Sequence, residues 1–275
     1  MRRAAPLLVV LTALAAWAMP AAAPTEAQVQ PPAVSRTRLA NGLIVLVREN
    51  PSAPVVAMNL MIGSGVRAET RETAGVSNLL QLMVVRGTNT KDGTQIVEAA
   101  EQMGGSIEAF GEVDAAEIAA TALSRHWRDM MALVADVALN PTLPDATTQA
   151  VKDFLLRQIR NRAERPYEAG LDRLRARAFG AHPYAWNPLG LPESVSRLDR
   201  PALIAHYRRH YVTGGMVLAV SGRVKSREVV AEAQKLFAEI LTGTPPAVSR
   251  PAPPAAATTR DVIQVPGAQA QILMG

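Results

Sequence analysis

The chain has 275 residues and no cysteine. A disulfide framework, a thiolate metal site and a cysteine nucleophile are thereby excluded together, and stability must come from the core itself. Aromatic residues make up only 4%, which leaves little for the base stacking that single-stranded nucleic-acid binding uses, so nucleic acid is not expected as a partner. After the first 27 residues no segment approaches the roughly 18 uninterrupted apolar residues of a membrane span, so no integral span is expected.

What is present is an ordinary globular balance, 48% hydrophobic and 19% charged, in a length that suits one large domain or one and a half average ones. Met1-Arg-Arg, the apolar run from Ala4 to Ala18 and the small-residue tail ending at Ala27 carry the three regions of a secretory signal peptide, expected over 1–27 and removed after Ala27 or within Ala18 to Ala22. The mature chain is then expected to be exported, periplasmic or secreted. The net charge of +5 is mildly basic, and arginines crowd the stretch from Arg157 to Arg177, interrupted by Glu164, Glu168 and Asp172. Such spacing describes a solvated helix face or a docking surface for an acidic partner.

Residues 28–34 read as a flexible leader. Arg36 to Ala40 and Leu43 to Arg48 flank Asn41-Gly42, a hairpin signal because both turn residues tolerate positive φ. A further strand is expected over 54–62. Helical spacing follows over 73–86 and 94–103, strands over 106–111 and 115–123, then helices over 127–139 and 145–163, the latter broken or kinked by Pro166. A helix over 201–211, a buried strand over 216–221 and a helix over 227–241 close the set. The fold class is α+β, an antiparallel sheet packed by helices, in one domain over 35–241. Residues 242–259, rich in Pro, Ala and Thr, read as an extended linker. The strand-like runs after it, within 260–275, are expected to begin a second, similar domain, with the chain truncated at Gly275, or to add to another sheet.

The segment Ala74 to Gly87 is the most informative. It has the spacing of the H-x-x-E-H helix of inverted zinc peptidases, in which two imidazoles one turn apart hold the metal and a carboxylate between them takes a proton from bound water. Here the three places hold Asn78, Gln81 and Leu82. With Leu39-Ala-Asn-Gly-Leu43, Gly63-Ser-Gly-Val-Arg-Ala-Glu69, Arg86-Gly-Thr88, Met103-Gly-Gly105, Asn140-Pro141, His182-Pro-Tyr184, Leu189-Gly190 and the strand ending in Val-Ser-Gly222, the chain resembles peptidase family M16 (insulinase, pitrilysin and mitochondrial processing peptidase type), in particular its short bacterial members. The resemblance implies an M16/LuxS-like metallohydrolase-type domain. It also implies a third metal ligand on a later helix, seventy-odd residues on, which falls at Gln158.

Zinc is held by imidazole, thiolate and carboxylate, and none of these stands at Asn78, Gln81, Leu82 or Gln158. Amide oxygens are weak zinc ligands, leucine is none, and glutamine cannot accept a proton at neutral pH. No catalytic residue, metal or other cofactor is therefore expected in this chain, with zinc expected only in a catalytic partner. The resemblance implies a non-catalytic subunit paired as a heterodimer with an active M16 paralogue, the two enclosing a chamber for peptides or unfolded segments. An alternative is a partner-independent peptide-binding or scaffold protein that adds an extended strand to a sheet edge. A third reading is an active enzyme with its metal relocated to His206 and His210, four apart on a helix. His126 and His182 are read as structural, Gly104-Gly105 as a sharp helix-to-strand connection, and Ser64 and Ser77 as lacking any His and Asp arrangement.

Overall fold

The computed structural model describes residues 33–248, 260–262, 264 and 270–275. The expected signal peptide, most of the 28–34 leader and the linker from 249 on lie outside the described residues. The first hairpin joins β1 (Val34–Arg38) to β2 (Ile44–Glu49), with Arg36 opposite Leu46. Only Gly42, at φ 98°, adopts the left-handed conformation. Asn41 serves the turn through its side chain instead: the oxygen accepts from the Leu43 N–H at 3.2 Å and the amide donates to the Phe237 carbonyl at 2.8 Å.

After β3 (Val55–Ile62) come α1 (Val76–Val84), α2 (Gly93–Gln102), β4 (Ser106–Gly111) and β5 (Ala116–Leu123). The helical segment α3 (Trp127–Leu139), α4 (Asp145–Ala163), α5 (Pro166–Phe179), α6 (Pro192–Arg197) and α7 (Arg200–His210) leads to β6 (Met216–Gly222) and α8 (Ser226–Leu236). Pro166 neither kinks nor simply stops a helix. It opens α5 at the first helical position, where its missing N–H costs nothing.

The six strands form one open sheet in the order β1-β2-β6-β3-β5-β4. Every ladder is antiparallel except β2 with β6, which runs parallel from Ile44 opposite Val217 to Glu49 opposite Gly222. β6 reaches the sheet after a long helical excursion, so no hairpin fixes its direction. Each central strand alternates cleanly. Val56, Met58, Leu60 and Ile62 of β3, Ile118 and Ala120 of β5 and Leu218 and Val220 of β6 are buried with Leu79, Leu80 and Met83 of α1, Met130, Met131 and Val134 of α3, and Phe237. Full burial of side chains of this size stabilises by ~1.5–3 kcal/mol each.

The other face of the sheet, with Leu46, Ala57, Asn59, Ala119, Ala219 and Ser221, stays exposed or half-buried and lines an open hollow of about 570 Å³. β1 and β4 are its edges. In the stretch expected to begin a second domain, the described residues 260–262, 264 and 270–275 are in no strand. The remaining residues of those strand-like runs lie outside the described set.

Candidate functional site

The site grows from the entry into α1. Gly75, at φ 97°, is the residue before the helix, and a Cβ there would stand 2.8 Å from Val195 Cγ2 and 2.9 Å from Gly190 Cα. Only glycine meets both demands. The first N–H groups of the helix find no serine or threonine cap. They donate instead to the buried Glu69 carboxylate, Gly75 N at 2.8 Å and Ser77 N at 2.9 Å. An anionic group at a helix N-terminus is favourable, but burial outweighs the hydrogen bonds and pushes the Glu69 carboxyl up to about 7.

Along α1, Asn78 is half-buried, Gln81 is 1% exposed and Leu82 is partly buried against the core. The close approach of β4 is allowed by Gly111, where a Cβ would come within 3.3 Å of Asn78 Cα. The Gln81 amide Nε2 donates to the Tyr211 hydroxyl at 2.7 Å, while Gln81 Oε1 and Asn78 Nδ2 are buried without a hydrogen-bond partner among the described residues. Gln158 lies exposed on α4, a helix packed beside α1. Two amides, an alkyl group and a third amide do not fit zinc, whose protein ligands are imidazole, thiolate and carboxylate.

Helix α7 supplies the other wall. His206 Nε2 lies 2.9 Å from Ser64 Oγ and 3.2 Å from Ser77 Oγ, and Ser77 Oγ also donates to the Gly65 carbonyl at 3.2 Å. The two serines share a histidine, with no aspartate beside it among the described hydrogen bonds, because the fold brings α7 onto the start of α1. The arrangement lacks the remaining parts of a serine nucleophile. Both hydroxyls belong to residues only 2% exposed, and the nearby Glu69 carboxylate is engaged by backbone N–H groups. Burial, then the charges of His210 and Arg209, hold His206 down to about 3, far from a base poised for neutral pH.

His206 and His210 stack ring on ring, centroids 4.4 Å apart and planes 34° from parallel. Burial, followed by Arg209, lowers His210 to about 4, and its Nδ1 is buried without a partner among the described residues. Stacked rings, one already using its Nε2 on hydroxyls, do not direct two nitrogens at one metal position. No group of three or more His, Asp or Glu among the described residues is arranged to hold a metal. Tyr207 donates to the carbonyls of Ala138 and Leu139, at 2.7 and 3.1 Å, and burial pushes its phenol up to about 12. Tyr211 is 3% exposed and burial raises its phenol further. Glu69 and Tyr211, which no sequence pattern singled out as site residues, thus fix the start and the middle of the motif helix. Their signal was confined to the matched segment ending Arg-Ala-Glu69 and to the helix end before β6.

Residues 44–190 match the family model for insulinase, peptidase family M16, and residues 197–275 match the model for the peptidase M16 inactive domain. The second match begins inside the six-stranded unit, since it includes β6 at the middle of the sheet. An uncharacterized zinc protease of Mycobacterium leprae is 31% identical over 204 residues, 74% of this chain and 46% of its own length. Cytochrome b-c1 complex subunit 1 of Rattus norvegicus is 30% identical over 202 residues, 74% of this chain and 42% of that protein. The chain thus spans less than half the length of these two relatives. The crystal structure of a peptidase M16 inactive domain from Pseudomonas fluorescens is similar with a TM-score of 0.77 at 26% identity, covering 82% of this chain and 55% of that one.

Proposed function

Since the chain belongs to peptidase family M16, we propose that it is a non-catalytic subunit, pairing with an active zinc peptidase of the same family to form a peptide-binding chamber. Gln81 carries the reading. At the place of the catalytic carboxylate stands a neutral amide that cannot accept a proton at neutral pH, and its N–H is committed to Tyr211 at 2.7 Å. Asn78, Leu82 and Gln158 complete the loss of metal ligands, so zinc belongs to the partner alone. The helix that would carry the chemistry is nevertheless well seated, closed at its start by Glu69 and at its middle by Tyr211. Such a chain contributes shape rather than reaction.

Two likenesses support the reading: the inactive-domain match, and a relative named as a subunit of a larger complex. The expected export with a signal peptide puts the pair in the periplasm or outside the cell. The partner-independent scaffold reading draws on a separate observation, the uncovered sheet face and the β4 edge beside it, where an extended peptide could add a strand.

The test is zinc content and peptidase activity of the purified chain, alone and mixed with its H-x-x-E-H paralogue. The subunit reading expects a metal-free, inert chain that raises the activity of the paralogue. Stoichiometric zinc with chelator-sensitive cleavage by the chain alone would overturn it. An inert chain that binds peptides but neither associates with nor stimulates the paralogue would favour the scaffold.

A further inference from the structure

The uncovered face of the sheet is ordered by charge. Residues directly opposite on paired strands share a face, and the registers carry one row across all six strands: Arg36, Leu46, Ala219, Asn59, Ala119 and Glu108. Arg38 and Arg48 add positive charge on β1 and β2, and Glu117 adds negative charge on β5. The face thus runs from a basic side, over a floor of small residues, to an acidic side. Val34, Met61 and Phe110 stand on it as well, 57%, 38% and 37% exposed, apolar surface of the kind that marks an interaction site.

The two sides cannot neutralise each other within one molecule. Neighbouring strands lie about 4.8 Å apart, so the outermost two, β1 and β4, are separated by roughly 24 Å. Physiological salt screens exposed charges beyond ~8 Å. Among the described residues, Arg36, Arg38, Arg48 and Glu108 take part in no ion pair. Glu117 is held in place by a hydrogen bond from Asn59 Nδ2 at 2.7 Å.

A second copy, turned about a twofold axis parallel to the strands, supplies what each side lacks. That rotation lays β1 of one copy over β4 of the other, so Arg36 meets Glu108 twice in the pair. A twofold axis across the strands would instead lay β1 over β1 and oppose arginine to arginine. Near the axis Ala219 of one copy faces Asn59 of the other, and small side chains there allow the ~10 Å approach of sheets packed face to face. Six strands and three rows of side chains span roughly 29 by 20 Å, about 600 Å² per copy and about 1,200 Å² in all, the lower end of a specific interface.

We propose that the uncovered sheet face docks a second copy of this chain, in a face-to-face dimer whose twofold axis runs parallel to the strands. Both charged sides are then paired and the hollow over Ala57 and Ala219 is closed. The helical layer, on the opposite face of the sheet, stays outside this interface. The inference does not rest on the pseudo-peptidase reading.

Sedimentation velocity on the purified chain tests it. A reversible monomer–dimer equilibrium is expected, weakened by high salt. Arg36→Glu and Glu108→Arg should each weaken it about tenfold or more, because each sets like charges against each other twice per dimer. Mixing the two variants in equal amounts, or joining both substitutions in one chain, should restore it, since every facing pair is again of opposite sign. Ala57→Lys, at an exposed position, should abolish the dimer while leaving the circular dichroism spectrum unchanged. A chain still monomeric at about 100 μM overturns the proposal, including one in which Arg36 and Glu108 instead govern binding to the H-x-x-E-H paralogue. A dimer indifferent to Arg36→Glu, or one that the mixture fails to restore, overturns it as well, because such a dimer forms elsewhere.

Discussion

Gln81 is 1% exposed, and among the described residues a single neighbour, Tyr211, satisfies only its N–H. Such a half-satisfied group makes its surviving bond matter more, because removing the partner exposes the full desolvation cost. Tyr211→Phe is expected to destabilise the chain by about 1–3 kcal/mol, measured by urea denaturation. Gln81→Met in the same background should recover much of that loss, since it removes the orphaned amide while keeping its length. Equal and additive losses from the two substitutions would show that the pair is not coupled. The identities at Asn78, Gln81, Leu82 and Gln158 were legible in the sequence, and so was their unsuitability for zinc. Tyr211 as the partner of Gln81 was not, because Gln81 lies on α1 and Tyr211 just past the end of α7, far apart in the chain, and only packing brings them together.

At the level of elements, α1 depends on a glycine that does two jobs. Gly75 takes a positive φ and admits Val195 and Gly190 at distances that no Cβ would permit. Gly75→Ala therefore combines an unfavourable backbone with a clash against α6 and the turn before it. A loss of at least ~2 kcal/mol is expected, with the melting temperature as readout, whereas Gly180→Ala, which meets nothing within 4 Å, pays only for its positive φ of 57°. A smaller loss at Gly75 than at Gly180 would contradict the packing argument. Most elements could be read from periodicity because their apolar stripes are long: α3 and α4 begin and end at residues 127–139 and 145–163 as the spacing predicts. α5 and α6 escaped as separate helices. α5 buries no residue fully and so writes no apolar stripe, and α6 is too short for a period to declare itself. The parallel β2–β6 ladder was equally illegible, because strand direction is decided by the path between strands and not by the strands themselves.

For the molecule as a whole, three buried titratable groups set how stability follows pH. His206 and His210 are lowered from 6.5 to about 3 and about 4, so below pH 6.5 the unfolded chain binds protons that the folded chain refuses. Their contribution is complete above pH 6.5 and is lost as pH falls. Glu69, raised from 4.5 to about 7, acts in the opposite sense, since between those values the folded chain holds a proton that the unfolded chain has released. The two imidazoles outweigh the one carboxyl by roughly one proton near pH 5–6. Unfolding free energy should then drop by about 1.4 kcal/mol per pH unit on acidification through that window, measured by urea titration at each pH. In His206→Gln/His210→Gln the slope should reverse, leaving Glu69 to make the protein more stable toward pH 5. An unchanged slope in the double variant would remove the histidines from the explanation.

The position of β6 has a consequence for how the chain assembles. It is the last in sequence of the six strands of this sheet yet it lies between β2 and β3, so the β1–β2 hairpin joins the rest of the sheet only through it. Until residue 222 is available, a growing chain holds two strand groups with no ladder between them, and closure must wait for contacts between distant parts of the sequence. The polypeptide is thus built to complete its sheet late, through the insertion of a single central strand.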